Sequence, residues 1–141
     1  KGSQQFYVEK ESELEEYLAR YAARQDRVLR AEPTPEKGLF YRSDHFNFAK
    51  AGVPALYFKL GIDDRANGAV WGQQQQDDFT ANRYHKVSDE YRDDADLRGG
   101  VEDLELMYAI GRQLSREKSF PNWYPQNEFR AVRDRSRALM K

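Results

Sequence analysis

Apolar positions recur at two periods along the chain, and the switching between them predicts the order of elements. The opening "QQFYVE" is a β-prone run, and "ESELEEYLARYAARQ" follows with Leu14, Tyr17, Leu18 and Tyr21 at helical spacing. Ser12 and Glu15 have capping-box spacing, so a strand near 5–9 and a helix over 12–24 are predicted. "RVLRAEP" gives a second strand near 27–31, stopped by Pro33 and Pro35. "SDHFNFAKAG" regains helical spacing from Phe46 to Ala49 and terminates at Gly52, predicting a helix over 44–51. "VPALYFKLG" is a continuous apolar run, read as a strand over 54–60 with Pro54 tolerated at its beginning.

Residues 61–95 show little period and are rich in Gly, Asp, Asn and Gln, which reads as a long loop with "GQQQQDD" as a solvated patch. Loops of that length inside a domain tend to be functional or disordered. In "DLRGGVEDLELMYAIGRQLSRE", Val101, Leu104, Met107, Tyr108 and Gly111 form one stripe that Leu106 and Ile110 widen. That pattern predicts a helix over 97–116 buried on more than one side, with Met107 in the core. The tail "NEFRAVRDRSRALMK" forms a last helix with Arg130, Arg133, Arg137 and Lys141 on an exposed face. Strands alternating with helices give an α/β class: a partial mixed, largely parallel sheet flanked by helices. Three strands make a thin sheet for this pattern, so the chain is expected to be part of a larger domain.

Composition narrows the partners. The 141 residues are 39% hydrophobic, the profile of one globular unit. With 23 basic against 24 acidic residues the net charge is −1, so no global field recruits nucleic acid or an anionic membrane. The basic tail lacks an aromatic stacking platform and a Gly-rich phosphate loop, and no nucleic-acid partner is expected. No run approaches the ~18 apolar residues of a membrane span, and "KGSQQFYVEK" lacks the apolar segment of a secretory signal. With no cysteine, any metal must be held by His, Asp or Glu.

Two stretches carry candidate chemistry. "YRSDHFNFAKAGVPALYF" puts Arg42, Asp44 and His45 where a strand-like segment gives way to a helix, a ligand position in α/β sheets. There Arg42 offers a planar fork to a carboxylate, Asp44 an acceptor for an amine, and Ser43 a helix cap. "NRYHKVSDEY" holds His85, one of two histidines, and its residues alone leave a metal ligand, a base and a surface side chain all open.

Taken together, "RSDHFNFAKAGVPAL" and, about forty residues later, "RYHKVSDEY" resemble the C-terminal part of the di-zinc aminopeptidase family. That family also contains glutamate carboxypeptidase, glutaminyl cyclase and the transferrin receptor ectodomain. The resemblance covers residues 5–117. It implies that His85 is a zinc ligand, that Tyr84 steadies the oxyanion, and that Arg42, Asp44, His45 and Phe46 line the substrate pocket, His45 not being a ligand. Ser88 and Asp89 are expected to support the loop. The implied activity is zinc-dependent hydrolysis of N-terminal peptide bonds, with a non-catalytic interaction domain, or carboxypeptidase or glutaminyl cyclase chemistry, as alternatives. The family's other donors are a His-x-Asp element, a bridging Asp, a Glu-Glu pair and a further carboxylate. No His-x-Asp occurs here. Glu15-Glu16 reads as a solvated helix face, and Asp63-Asp64, Asp77-Asp78 and Asp93-Asp94 as loop charges.

The expectation is therefore a chain with most of the site absent: residues 1–120 as the C-terminal part of a catalytic domain, and 121–141 as a helical extension. Two zinc ions belong to the parent, binding in this chain is weak or absent, and the chain alone is inactive. The expected partners are a peptide substrate, the missing N-terminal part of the same domain, and a second copy through an exposed sheet edge or face. The resemblance also implies a periplasmic or extracellular compartment.

Overall fold

Phe6 and Val8 alternate with Gln5 and Tyr7, and this alternation sets the layers of the molecule. The computed structural model describes residues 2–139. Its elements are β1 (Gln5–Val8), α1 (Leu14–Ala23), β2 (Val28–Ala31), α2 (His45–Lys50), β3 (Lys59–Leu60), α3 (Gly68–Asn82), α4 (Arg98–Leu114) and α5 (Arg130–Ala138). Two 3₁₀ turns, Pro35–Lys37 and Leu39–Arg42, precede α2. β1 is the central strand, parallel to β2 with Phe6 opposite Leu29, and antiparallel to β3 with Tyr7 opposite Lys59. The sheet is small, mixed and flanked by helices, an α/β arrangement.

One face of the sheet is covered by α1 and α4. Phe6 and Val8 pack there with Leu18 and Ala22 of α1 and Leu106 and Ile110 of α4. Full burial of such a side chain contributes about 1.5–3 kcal/mol, so this cluster is the main hydrophobic store of the fold. Arg27 is wholly buried beside it, its guanidinium 3.9 Å above the Phe6 ring and paired with Asp103 at 2.5 Å, which fixes the start of α4 to the β1–β2 pair. A second cluster joins Phe40, Ala49, Trp123 and Phe129, with Phe46, Ala55 and Tyr57 against it. Trp123 donates its indole N–H to the Gly52 carbonyl. Gly52 sits at φ +81°, and a Cβ there would lie 2.7 Å from the Arg133 nitrogen, so the end of α2 is pressed onto the backbone of α5.

Several sequence expectations change. The run read as a strand over 54–60 forms a ladder only at Lys59–Leu60. Its side chains divide between the two clusters, Leu56 and Phe58 to the first and Ala55 and Tyr57 to the second, and the run is held by packing instead of pairing. Residues 61–95 are not a continuous loop: "GQQQQDD" lies within α3. That helix has no buried residue and is held by side-chain bonds four or five residues apart, Gln73 to Asp77, Asn82 to Asp78 and Arg83 to Asp78. Asp64 organises its start by accepting the Ala66 and Asn67 N–H groups. α4 is buried on one side only, with Val101, Leu104, Met107 and Tyr108 exposed, so Met107 is not core. In α1, Glu15 is buried, not solvated, and accepts the Glu11 and Ser12 N–H groups, while Ser12 Oγ accepts the Leu14 N–H. Of the α5 positions expected on an exposed face, Arg137 is exposed, Arg130 and Arg133 are half-buried, and Lys141 lies outside the described residues.

Candidate functional site

Each of the two sequence motifs lies on a loop of its own, one leading into α2 and one following α3. Residues 39–46 wind from a 3₁₀ turn into α2. His45, at the first turn, is wedged between Phe40, edge-on at 4.5 Å, and Tyr57, stacked at 4.6 Å and 17°. Its Nε2 is buried without a hydrogen-bond partner. Burial lowers the His45 pKa, and the neighbouring Asp44 charge only partly opposes this, so the ring favours the neutral form. Phe46 packs edge-on against Tyr41 and Phe129. Arg42 and Asp44 instead face solvent. Ser43 contributes its carbonyl, not its hydroxyl, to the first turn of α2, by accepting the Phe46 N–H. Of the four expected substrate residues, His45 and Phe46 therefore join the aromatic cluster, and Arg42 and Asp44 do not.

The second loop follows α3. Phe79 O accepts the N–H groups of both Arg83 and Tyr84, and Arg83 O accepts the Lys86 N–H, closing a turn over residues 83–86. His85 occupies the third position of that turn at φ +57°, a conformation that favours glycine or asparagine. A non-glycine side chain held there costs free energy, and such residues cluster at functional sites. Its ring stacks on Tyr84 at 3.9 Å and 22°, and both side chains are exposed. The loop is tied back to α3 by the Ser88 hydroxyl, which donates to Asn82 O at 2.7 Å, and by Lys86 Nζ, which donates to Ala81 O. Asp89 contributes its backbone N–H, to Lys86 O.

Tyr57 belongs to the aromatic cluster of the first loop, packed against Phe40 and His45. Its phenol is held above the usual range by burial, then by the charges of Glu32, Glu9 and Tyr84. Glu9 and Glu32 stand just beyond the ends of the parallel strands β1 and β2, the position where α/β sheets bind ligands. Burial and the Glu32 charge raise the Glu9 pKa, and Glu9 Oε1 is buried without a partner. Burial would raise Glu32 too, but hydrogen bonds from Thr34 and Lys59 outweigh it and leave the carboxyl lowered. Sequence reading missed these three residues. Tyr57 sat within an apolar run that reads as core, and the signal for the two carboxylates was their place immediately after each strand.

A sequence model of peptidase family M28 matches residues 2–108. The chain belongs to peptidase family M28. No curated protein and no solved structure matches it. M28 peptidases are in general zinc-dependent hydrolases, so the donors of this chain can be tested against zinc. They do not fit. Among the described residues no group of three or more His, Cys, Asp or Glu side chains could hold a metal ion, whereas zinc ordinarily takes three or four protein ligands. Glu15-Glu16 does not supply them, because Glu15 is turned into the fold. No helix among the described residues is long and apolar enough to cross a membrane.

Proposed function

We propose that this chain is the C-terminal part of the catalytic domain of an M28 aminopeptidase, contributing one metal ligand, His85, and one wall of the substrate site. The observation that carries the reading is the Tyr84–His85 stack: an exposed imidazole held at a glycine-like φ, beside a phenol within electrostatic reach of Tyr57. The strain of that turn is accounted for if the imidazole must meet a ligand at a fixed place. The reaction is addition of water to the carbonyl of an N-terminal peptide bond, followed by cleavage of the C–N bond. Tyr84 donates its hydroxyl to the oxygen on which negative charge develops. His45, Phe46 and Tyr57 form an aromatic wall against the substrate side chain, with Arg42 and Asp44 at its outer rim. Lys59 offsets Glu32, and Glu9, whose Oε1 is buried without a partner, adds the negative charge on the approach to Tyr57 that suits the free ammonium of a peptide and repels a free carboxylate. This favours aminopeptidase over carboxypeptidase action.

The single-imidazole donor set supports a second reading, a non-catalytic interaction domain of the same fold. One experiment separates the two: the chain is assayed within a protein that carries His-x-Asp, a bridging Asp and Glu-Glu, using aminoacyl-nitroanilides, with bound zinc quantified. His85→Ala should abolish hydrolysis and lower the zinc content, and Tyr84→Phe should reduce kcat about 10²-fold with zinc unchanged. The 141-residue chain alone should not hydrolyse these substrates. Full activity and unchanged zinc in His85→Ala would remove the ligand assignment.

A further inference from the structure

α3 turns a polar stripe toward the sheet. Gln73, Gln76, Asp77, Thr80 and Ala81 share one helical face and line one side of a cavity of about 600 Å³, whose other side includes Tyr7, Glu32 and Lys59. A helix laid on a sheet ordinarily presents apolar residues and closes the gap. Closer approach is blocked at Gly72, where even a built Cβ would fall 1.8 Å from the Ile62 carbonyl oxygen, so the backbones already meet there and the groove beyond stays open.

The groove's walls have a definite chemistry. The Tyr7 phenol and the remaining amide groups of Gln73 and Gln76 offer hydrogen bonds, whereas the Thr80 hydroxyl already donates to Gln76 O at 2.8 Å. Of its charged side chains, Lys59 pairs with Glu32 at 3.2 Å and Asp77 accepts the Gln73 amide at 2.7 Å, while Lys37 also lines the groove. Donors and acceptors spaced along an open channel, with charges of both signs among them, complement the main chain of a peptide better than a wholly apolar ligand. From Gln73 to Ala81 the helix advances about 12 Å, room for about four residues of extended chain at about 3.3 Å each. The channel also reaches the candidate site. Ala81 O receives Lys86 Nζ from the Tyr84–His85 loop, and Glu32, on the opposite wall, acts with Tyr84 on Tyr57.

We propose that the channel between α3 and the sheet binds about four residues of extended peptide through their main-chain amides, carrying the substrate chain away from the cleaved bond. The inference rests on the peptidase reading of the Tyr84–His85 turn. Because the contacts go to the main chain, side-chain preference along the channel is weak, and substrates shorter than the channel lose affinity.

The test uses the 141-residue chain and acetyl-tetraalanine amide, a probe with main-chain amides and only methyl side chains, followed by NMR titration. Saturable shifts are expected at the side-chain amides of Gln73 and Gln76 and the backbone amides of Lys59 and Leu60. Thr80→Trp, which fills the channel from an exposed helix position, should weaken binding about tenfold or more, and Gln76→Ala should weaken it less. The titration involves no metal and no turnover, so a failed metal role for His85 and a failed channel give different results. Lack of saturable shifts at these amides, or undiminished binding by a folded Thr80→Trp variant, would overturn the proposal.

Discussion

Glu15 shows how one side chain departs from its sequence pattern. An acidic residue in the first turn of an amphipathic helix suggests a solvated charge, yet only 7% of Glu15 is exposed and burial pushes its pKa to about 7 against the N–H bonds from Glu11 and Ser12. In the unfolded chain the proton leaves near 4.5. The folded chain therefore holds an extra proton between those values, and Glu15's contribution to stability is complete below the lower value and lost as pH rises through about 7. Glu15→Gln keeps a carbonyl acceptor for the Glu11 N–H and cannot ionise. Its thermal midpoint should gain on that of the unmodified chain between about pH 5 and pH 8, and a constant difference would mean that Glu15 is ionised throughout. The same limit applied to the site. Tyr84 and His85 were legible because they stand in a specific motif, whereas Glu9, Glu32 and Tyr57 matter through neighbours more than twenty positions away in sequence.

At the scale of elements, what the sequence disclosed follows from what each element buries. α1 and α4 bury Leu18, Ala22, Leu106 and Ile110 against the sheet, and those positions recur at helical spacing. α3 buries nothing, so it leaves no apolar period, and its glutamines and aspartates read as loop until their bonds along the helix surface are seen. Its contact at Gly72 makes a counter-intuitive substitution informative. In a free helix Gly→Ala stabilises by about 1 kcal/mol. Here the added methyl would meet the Ile62 carbonyl, so Gly72→Ala should loosen α3 from the body. Hydrogen exchange over 68–82 should speed up while α1 and α4 keep their protection. Slower exchange in α3 would show that the helix does not rest on Ile62.

At the scale of the whole molecule, the outer face of α4 stands out. Leu104 and Tyr108 are each 70% exposed one turn apart, with Val101 and Met107 beside them. A soluble monomer seldom leaves such residues contiguous on one helix. The chain should therefore self-associate through this face, and Leu104→Lys with Tyr108→Lys should abolish the association without altering helical content. Sedimentation velocity over a range of concentrations measures it, and a monomer at every concentration in the unmodified chain would exclude it. The periodicity of α4 predicted that these residues form a stripe. It could not tell whether the stripe was covered, because covering depends on surfaces remote in sequence or in another molecule.

The second aromatic cluster has a consequence for how the protein is trimmed and assayed. Phe40 lies within the span matched by the M28 family and Phe129 lies outside it, yet their rings stack at 6.3 Å and 23°, and Trp123, also outside, donates to Gly52 within. A gene fragment cut at residue 108 would sever α4 and strip half the hydrophobic bed on which His45 rests. Within a protein that carries the remaining donors, loss of turnover after such a cut would look the same whether the reacting groups had gone or only their foundation, so shortened versions are sound tools for dissecting activity only if they retain the segment through Phe129.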